Sequence, residues 1–144
     1  MKDHYRKLQN MYLQANINTM IFDTTTCYIS KGQSEITLQL APKYYHALNA
    51  MHGLVYFKLL DDSAFFAVNS IVYDVFVLTT SFTINITKPA RHGLITAMGQ
   101  TRFTSTNLMI GESSLYNEEG EEIAFGTGTF AKSKIALSNT PGYQ

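Results

Sequence analysis

The stretch from Asn49 to Ser70 constrains the fold more than any other part of the chain. Read at helical period, Leu54, Val55, Phe57, Leu59, Leu60, Ala64, Phe65, Phe66, Ala67 and Val68 cover almost the whole circumference. A helix that is apolar on nearly every side has to be buried on most of them. The rest of the chain must therefore supply a wrapper, and most of it reads as strand. Residues 75–88, 93–106, 108–117 and 121–133 are predicted strands, with Pro89 and Gly93 at one turn and Asn117-Glu118-Glu119-Gly120 at another. Upstream, the stretch 18–30, rich in Thr, Ile, Phe and Tyr, and the alternating stretch 35–40 predict a hairpin around Lys31-Gly32-Gln33, closed off by Pro42. Tyr5, Leu8, Tyr12 and Ala15 recur at spacings of three and four, which predicts a short packing helix within residues 1–17. Residues 135–144, with Pro141 and Gly142, read as a flexible tail. The order is short helix, two strands, long helix, four strands. It implies an α+β fold in which one antiparallel sheet of about five to six strands curls around the central helix. A single sheet covers only part of such a helix and leaves edge strands open, so self-association to a dimer or tetramer is expected.

The chain of 144 residues is one domain's worth, long enough to bury roughly 70% of its unfolded surface without staples. Eleven basic and eleven acidic residues leave no net charge, hence no global field for a phosphate backbone or an anionic lipid surface. Nucleic acid and membrane are not expected partners. The single cysteine, Cys27, excludes an intrachain disulfide and a zinc site built on several thiolates, and it fits a reducing cytoplasm. No metal and no separate cofactor is expected. Lys2, Asp3, Arg6 and Lys7 interrupt the first turns, so a secretory leader is not expected either. The longest apolar run, Ile71 to Leu78, is broken by Asp74 and is far shorter than the roughly 20 residues that span a bilayer.

Two adjacent carboxylates in an apolar helix need a reason, because burying an ionised carboxylate is costly unless it is paired. Asp61 and Asp62 lie about 100° apart around the axis and cannot face the same environment. Helical spacing gives Asp61 the neighbours Leu54, Phe57, Ala64, Phe65 and Val68, and gives Asp62 the neighbours Lys58, Leu59, Phe66 and Asn69. Asp62 has the more polar company, although Lys58 is also three residues from Asp61. His52-Gly53 stands just ahead of the helix, where free N–H groups and the helix dipole favour developing negative charge. Such a helix can carry an oxyanion-stabilising end and a base in its interior.

The run His46-Ala47-Leu48-Asn49-Ala50-Met51-His52-Gly53-Leu54 through Asp61 to Asn69-Ser70 resembles the signature of hotdog-fold acyl-CoA thioesterases of the PaaI-like, phenylacetic-acid-pathway group. That signature has Asn, a short spacer, His-Gly-Gly, an Asp nine residues after the His, and Asn-Ser. The resemblance covers roughly residues 20 to 131 and implies hydrolysis of an acyl-CoA to free acid and CoA. It implies Asp61 as general base or nucleophile, Gly53 as the N–H that polarises the carbonyl, His52 as an orienting group, and Thr79 as a hydroxyl that positions water. Two departures stand out. Leu54 occupies the second glycine of His-Gly-Gly, and the family's upstream asparagine position holds His46, which leaves Asn49 as the candidate asparagine. Leu54, Phe57 and Phe65 are then expected to line the substrate pocket. Lys88 and Arg91, flanking Pro89, and Lys132 and Lys134, after the last strand, are expected to form basic edges for the CoA phosphates.

Two other functions fit the same frame. A hotdog domain can bind acyl-CoA without turnover, as a sensor or scaffold, and the Leu54 departure keeps that reading open. A hydroxyacyl-thioester dehydratase could use His52 and Asp61, but the proline-rich histidine loop and helix glutamate of that class are missing. Residues 1–17 are too short for a helix-turn-helix domain, which argues against a transcriptional sensor.

Overall fold

A computed structural model describes residues 2–144. Helix α1 (Lys2–Gln14) and the short α2 (Asn16–Met20) lead into β1 (Thr25–Ser30) and β2 (Gln33–Gln39). The long helix α3 (Gly53–Asn69) follows, then β3 (Val75–Ile86), β4 (Leu94–Thr104), β5 (Met109–Tyr116) and β6 (Glu122–Ala136). All six strands join one antiparallel sheet in the order β1-β2-β4-β5-β6-β3, so the strand that leaves α3 goes to the edge opposite β1. The sheet wraps α3, which touches every strand. This is the α+β hotdog arrangement that the sequence implies.

The helix lies directly on the sheet because two strand positions carry no side chain. A Cβ on Gly99 would stand 2.0 Å from the Ser63 carbonyl oxygen, and one on Gly111 would stand 3.1 Å from that of Ala64. Strand hydroxyls fasten the same helix. Ser34 Oγ donates to the Ser63 carbonyl at 2.5 Å and Ser113 Oγ to the Leu60 carbonyl at 2.8 Å. Leu59, Leu60, Ala64, Ala67 and Val68 are fully buried in the resulting core. At its far end, buried Asn69 accepts from the Val77 N–H and donates to the Val72 and Val75 carbonyls, which shapes the turn into β3.

The helix begins at Gly53 with His52 as its cap, within one residue of the expected start, and Asn49, with a left-handed φ of 58°, belongs to the preceding turn. Two expectations are corrected. Residues 18–24 are not strand. Asn18 is buried and donates to the Tyr12 carbonyl at 2.6 Å, and the Ile21 and Phe22 N–H groups bond the Ile17 carbonyl, so this stretch closes a helical turn. The tail does not fray. β6 continues to Ala136, Leu137 is buried, the Tyr143 hydroxyl donates to His4 Nδ1 at 2.7 Å, and the Gln144 carbonyl accepts from Asn10 at 2.6 Å. Gly142, with φ of 86°, makes the turn that brings Tyr143 and Gln144 back onto α1. Among the described residues, no helix is long and apolar enough to cross a membrane.

Candidate functional site

The two aspartates of α3 meet different surroundings. Asp62 Oδ2 accepts from the Tyr12 hydroxyl at 2.8 Å and pairs with the Lys58 ammonium. Lys58 is buried, and its Nζ lies 5.0 Å from the Tyr12 ring centroid and 4.7 Å from that of Phe22. Burial pushes the Asp62 carboxyl up while the Lys58 charge and the Tyr12 hydrogen bond pull it back. Burial and the neighbouring Asp62 charge raise the Tyr12 phenol, and burial pushes the Cys27 thiol beside this cluster up to about 12. That thiol is inert.

Among the described residues, Asp61 has no cation in contact. Its Oδ1 accepts a hydrogen bond from Thr79 Oγ1 at 2.9 Å, so β3 and α3 bring together residues eighteen positions apart. Burial pushes its carboxyl from the ordinary 3.8 up to about 6, with the Asp62 charge adding to the rise and the Thr79 bond opposing it. A carboxylate poised near neutrality suits general-base or nucleophilic work. One turn before it on the helix is Phe57, edge-on to Phe82 of β3 with ring centroids 5.7 Å apart. Phe65, one turn after it, packs inward against Phe66, Phe76 and Phe130.

At the other end of α3, His52 caps the helix. Its Nδ1 accepts from the Leu54 N–H at 2.9 Å, so the neutral ring carries its proton on Nε2. The ring stands 6.4 Å from that of His46, whose Nδ1 accepts from the Leu48 N–H. Gly53 begins the helix with its N–H unbonded among the described residues, and it opens on a cleft of about 320 Å³ with Met51, Tyr56, Ile86, Lys88 and Pro89. A larger hollow of about 580 Å³ lies between Gln33, Met98, Glu112, Tyr116 and Phe125, and Asp61 does not line it.

Within one chain several expected site residues stay apart. Eight residues separate Gly53 from Asp61, about 12 Å along the axis, too far for both to act on one carbonyl. Leu54 does not form a pocket floor inside the chain: the residue is 63% exposed, and Phe57 is 40% exposed. Asn49 is an exposed turn residue whose N–H bonds the His46 carbonyl, and its side chain makes no hydrogen bond among the described residues. Lys88 is not a free cation, since it pairs with Glu121, whereas Arg91 has no ion pair among the described residues. Lys132 is paired in register with Val77, at the end of β3 opposite Lys88, so the two expected basic edges are separate. Sequence reading missed Tyr12 as the third member of the Asp62 cluster and Phe82 as the wall facing Phe57. Phe82 had a signal in the alternation Phe82, Ile84, Ile86, while Tyr12 had only its place on the packing stripe of α1.

No protein-family profile matches the chain, and no curated protein is significantly similar in sequence. Solved structures are similar in shape. The PaaI protein of E. coli, from the phenylacetic acid degradation operon, superposes with a TM-score of 0.84 at 17% identity, over 94% of this chain and 96% of that one. A thioesterase from Haemophilus influenzae superposes with a TM-score of 0.76 at 15% identity, over 85% of each chain. A thioesterase family protein from Silicibacter pomeroyi gives 0.75 at 19% identity, over 87% of this chain and 96% of its own. At such identities the likeness is one of fold: this chain has the hotdog fold, in the form that PaaI shares.

Proposed function

We infer that the protein hydrolyses the thioester of an acyl-CoA, releasing the free acid and CoA, in an oligomer whose sites are shared between copies. The observation that carries this reading is the pairing of Asp61 with Thr79: a half-buried carboxylate, held by one hydroxyl beside exposed aromatic surface, with no cation paired to it among the described residues. Support also comes from the thioesterases among the structural neighbours. Acting as base, Asp61 takes a proton from water as the oxygen adds to the thioester carbonyl, and Thr79 orients the carboxylate. The oxyanion is met by the Gly53 N–H of a second copy, because the Gly53 of the same chain is about 12 Å away along the helix. Collapse of the tetrahedral adduct expels the CoA thiolate, which recovers the proton from Asp61. Acting as nucleophile, Asp61 itself adds to the carbonyl and the C–S bond breaks to expel the CoA thiolate, leaving a mixed anhydride; water then cleaves the anhydride to the free acid, returning the Asp61 carboxylate and the proton that the thiolate takes up. Either way Asp61 must be ionised at the start.

Arg91, with Lys88 if substrate displaces Glu121, is the cationic edge at the mouth of the Gly53 cleft for the nucleotide end of CoA. The site asks for no metal or further cofactor, and the cytoplasm, where acyl-CoA is found, is the expected location. A second reading, acyl-CoA binding without turnover, is favoured by one observation, the bulky Leu54 projecting from the first turn of α3. A panel of short, long and aromatic acyl-CoAs, followed by release of free thiol, separates the two. Turnover on any member supports hydrolysis, and saturable binding with no thiol released supports the binder.

A further inference from the structure

Lys58 is within helical reach of both aspartates, three residues from Asp61 and four from Asp62, yet it contacts only Asp62. The reason lies outside α3. The Tyr12 hydroxyl shares Asp62 Oδ2, and the rings of Tyr12 and Phe22 stand 5.0 and 4.7 Å from the ammonium, so α1 and the turn before β1 hold the cation on the Asp62 side. Had Lys58 swung to Asp61, the working carboxylate would be neutralised and become a weak base.

We propose that Lys58, Asp62 and Tyr12 form a positioning cluster for Asp61, which keeps the Lys58 cation away from that carboxylate and balances it with a charge of its own. The proposal rests on the reading of Asp61 as the working group. The cluster fixes the helix turn that carries Asp61, since Asp62 is its direct neighbour in the chain. It also presents Asp61 with a compensated pair instead of a bare charge of either sign. The titratable and charged groups around it are Tyr12 from α1, Cys27 from β1, and Lys58, Asp61 and Asp62 on α3, while β3 contributes the Thr79 hydroxyl. A cluster serving packing alone would affect stability and leave the ionisation of Asp61 in place.

The test is the titration of the Asp61 carboxyl, followed by carbon NMR, alongside the pH profile of kcat/KM for an acyl-CoA. Asp62→Asn leaves Lys58 uncompensated, so Asp61 should titrate at lower pH and the acid limb should move down. Lys58→Met leaves Asp62 uncompensated, so both should move up, and the double variant should return close to wild type. Tyr12→Phe keeps the fold and loosens the hold on Lys58, which should lower the Asp61 titration. This variant keeps the proposal open to refutation even if the single charge changes fail to fold. Shifts of the same sign in the two charge variants, or an Asp61 titration unmoved by Tyr12→Phe, would overturn it. An NMR titration that behaves as expected in a protein without hydrolytic activity would instead refute the catalytic reading and leave the electrostatic one standing.

Discussion

On one side of α3, groups of the same chain hold Asp62: Tyr12 from α1 and Lys58 from the helix itself, whose ammonium lies over the ring of Phe22 in the turn before β1. On the other side Asp61 meets one hydroxyl from β3, with Leu54 and Phe57 left 63% and 40% exposed and the outer edge of β3 paired with no further strand among the described residues. The contrast separates two uses of the same residue type. A carboxylate that its own chain pairs and seals supports the structure. A carboxylate held unpaired beside an unfinished apolar face carries a cost, and on the proposed reading a second copy and a substrate finish that face.

The largest expected effect falls on the open side. Asp61→Asn keeps the shape and the Thr79 bond but removes the base, and should lower kcat/KM for an acyl-CoA by about 1,000-fold or more. The same change should not harm stability. With a folded pKa of about 6 against an ordinary 3.8, the ionised form is disfavoured by folding, a penalty present above pH 6 and absent below pH 3.8. Denaturant titrations should therefore show Asp61→Asn more stable than wild type at pH 8, by about 1–2 kcal/mol after allowance for partial exposure, with the advantage gone near pH 4. Next in size is Gly53→Pro, expected to lower kcat about 100-fold by removing one oxyanion donor. Proline is tolerated at the first helical residue, and His52 already has the extended φ of −66° and ψ of 145° that precede it, so circular dichroism should be unchanged.

On the sealed side the effects should invert. Asp62→Asn leaves a buried ammonium without its partner and should cost about 3 kcal/mol of stability by urea unfolding, while kcat/KM at pH 8 stays within a few-fold of wild type. The smallest effect is expected where the open side touches β3. Thr79→Val removes the hydrogen bond that favours ionised Asp61, so the acid limb of kcat/KM, near pH 6 in wild type, should move to higher pH with only a several-fold loss at pH 8.

The open and sealed sides were not equally legible in the sequence. The wrapped helix was, because a segment apolar around its whole circumference has few solutions, and strand periodicity downstream supplied the wrapper. The opposite environments of Asp61 and Asp62 follow from the 100° step between neighbours. That Lys58 chooses Asp62 does not, since the choice is made by Tyr12, 46 residues upstream. The packed tail was hidden for the same reason: Pro141 and Gly142 read locally as fraying signals, and only α1, at the other end of the chain, gives Tyr143 and Gln144 their partners. The separation of Gly53 from Asp61 was implicit in the helix itself, and completion of the site by a second copy is the proposal that follows from it.

Subunit mixing tests that proposal. Gly53→Pro and Asp61→Asn, each nearly inactive alone, are unfolded together, refolded and checked by native mass spectrometry for mixed oligomers. If each site takes Asp61 from one copy and Gly53 from another, a mixed dimer holds one intact site, and random pairing should restore about one quarter of wild-type activity. Mixed oligomers that remain as inactive as their parents would contradict the account.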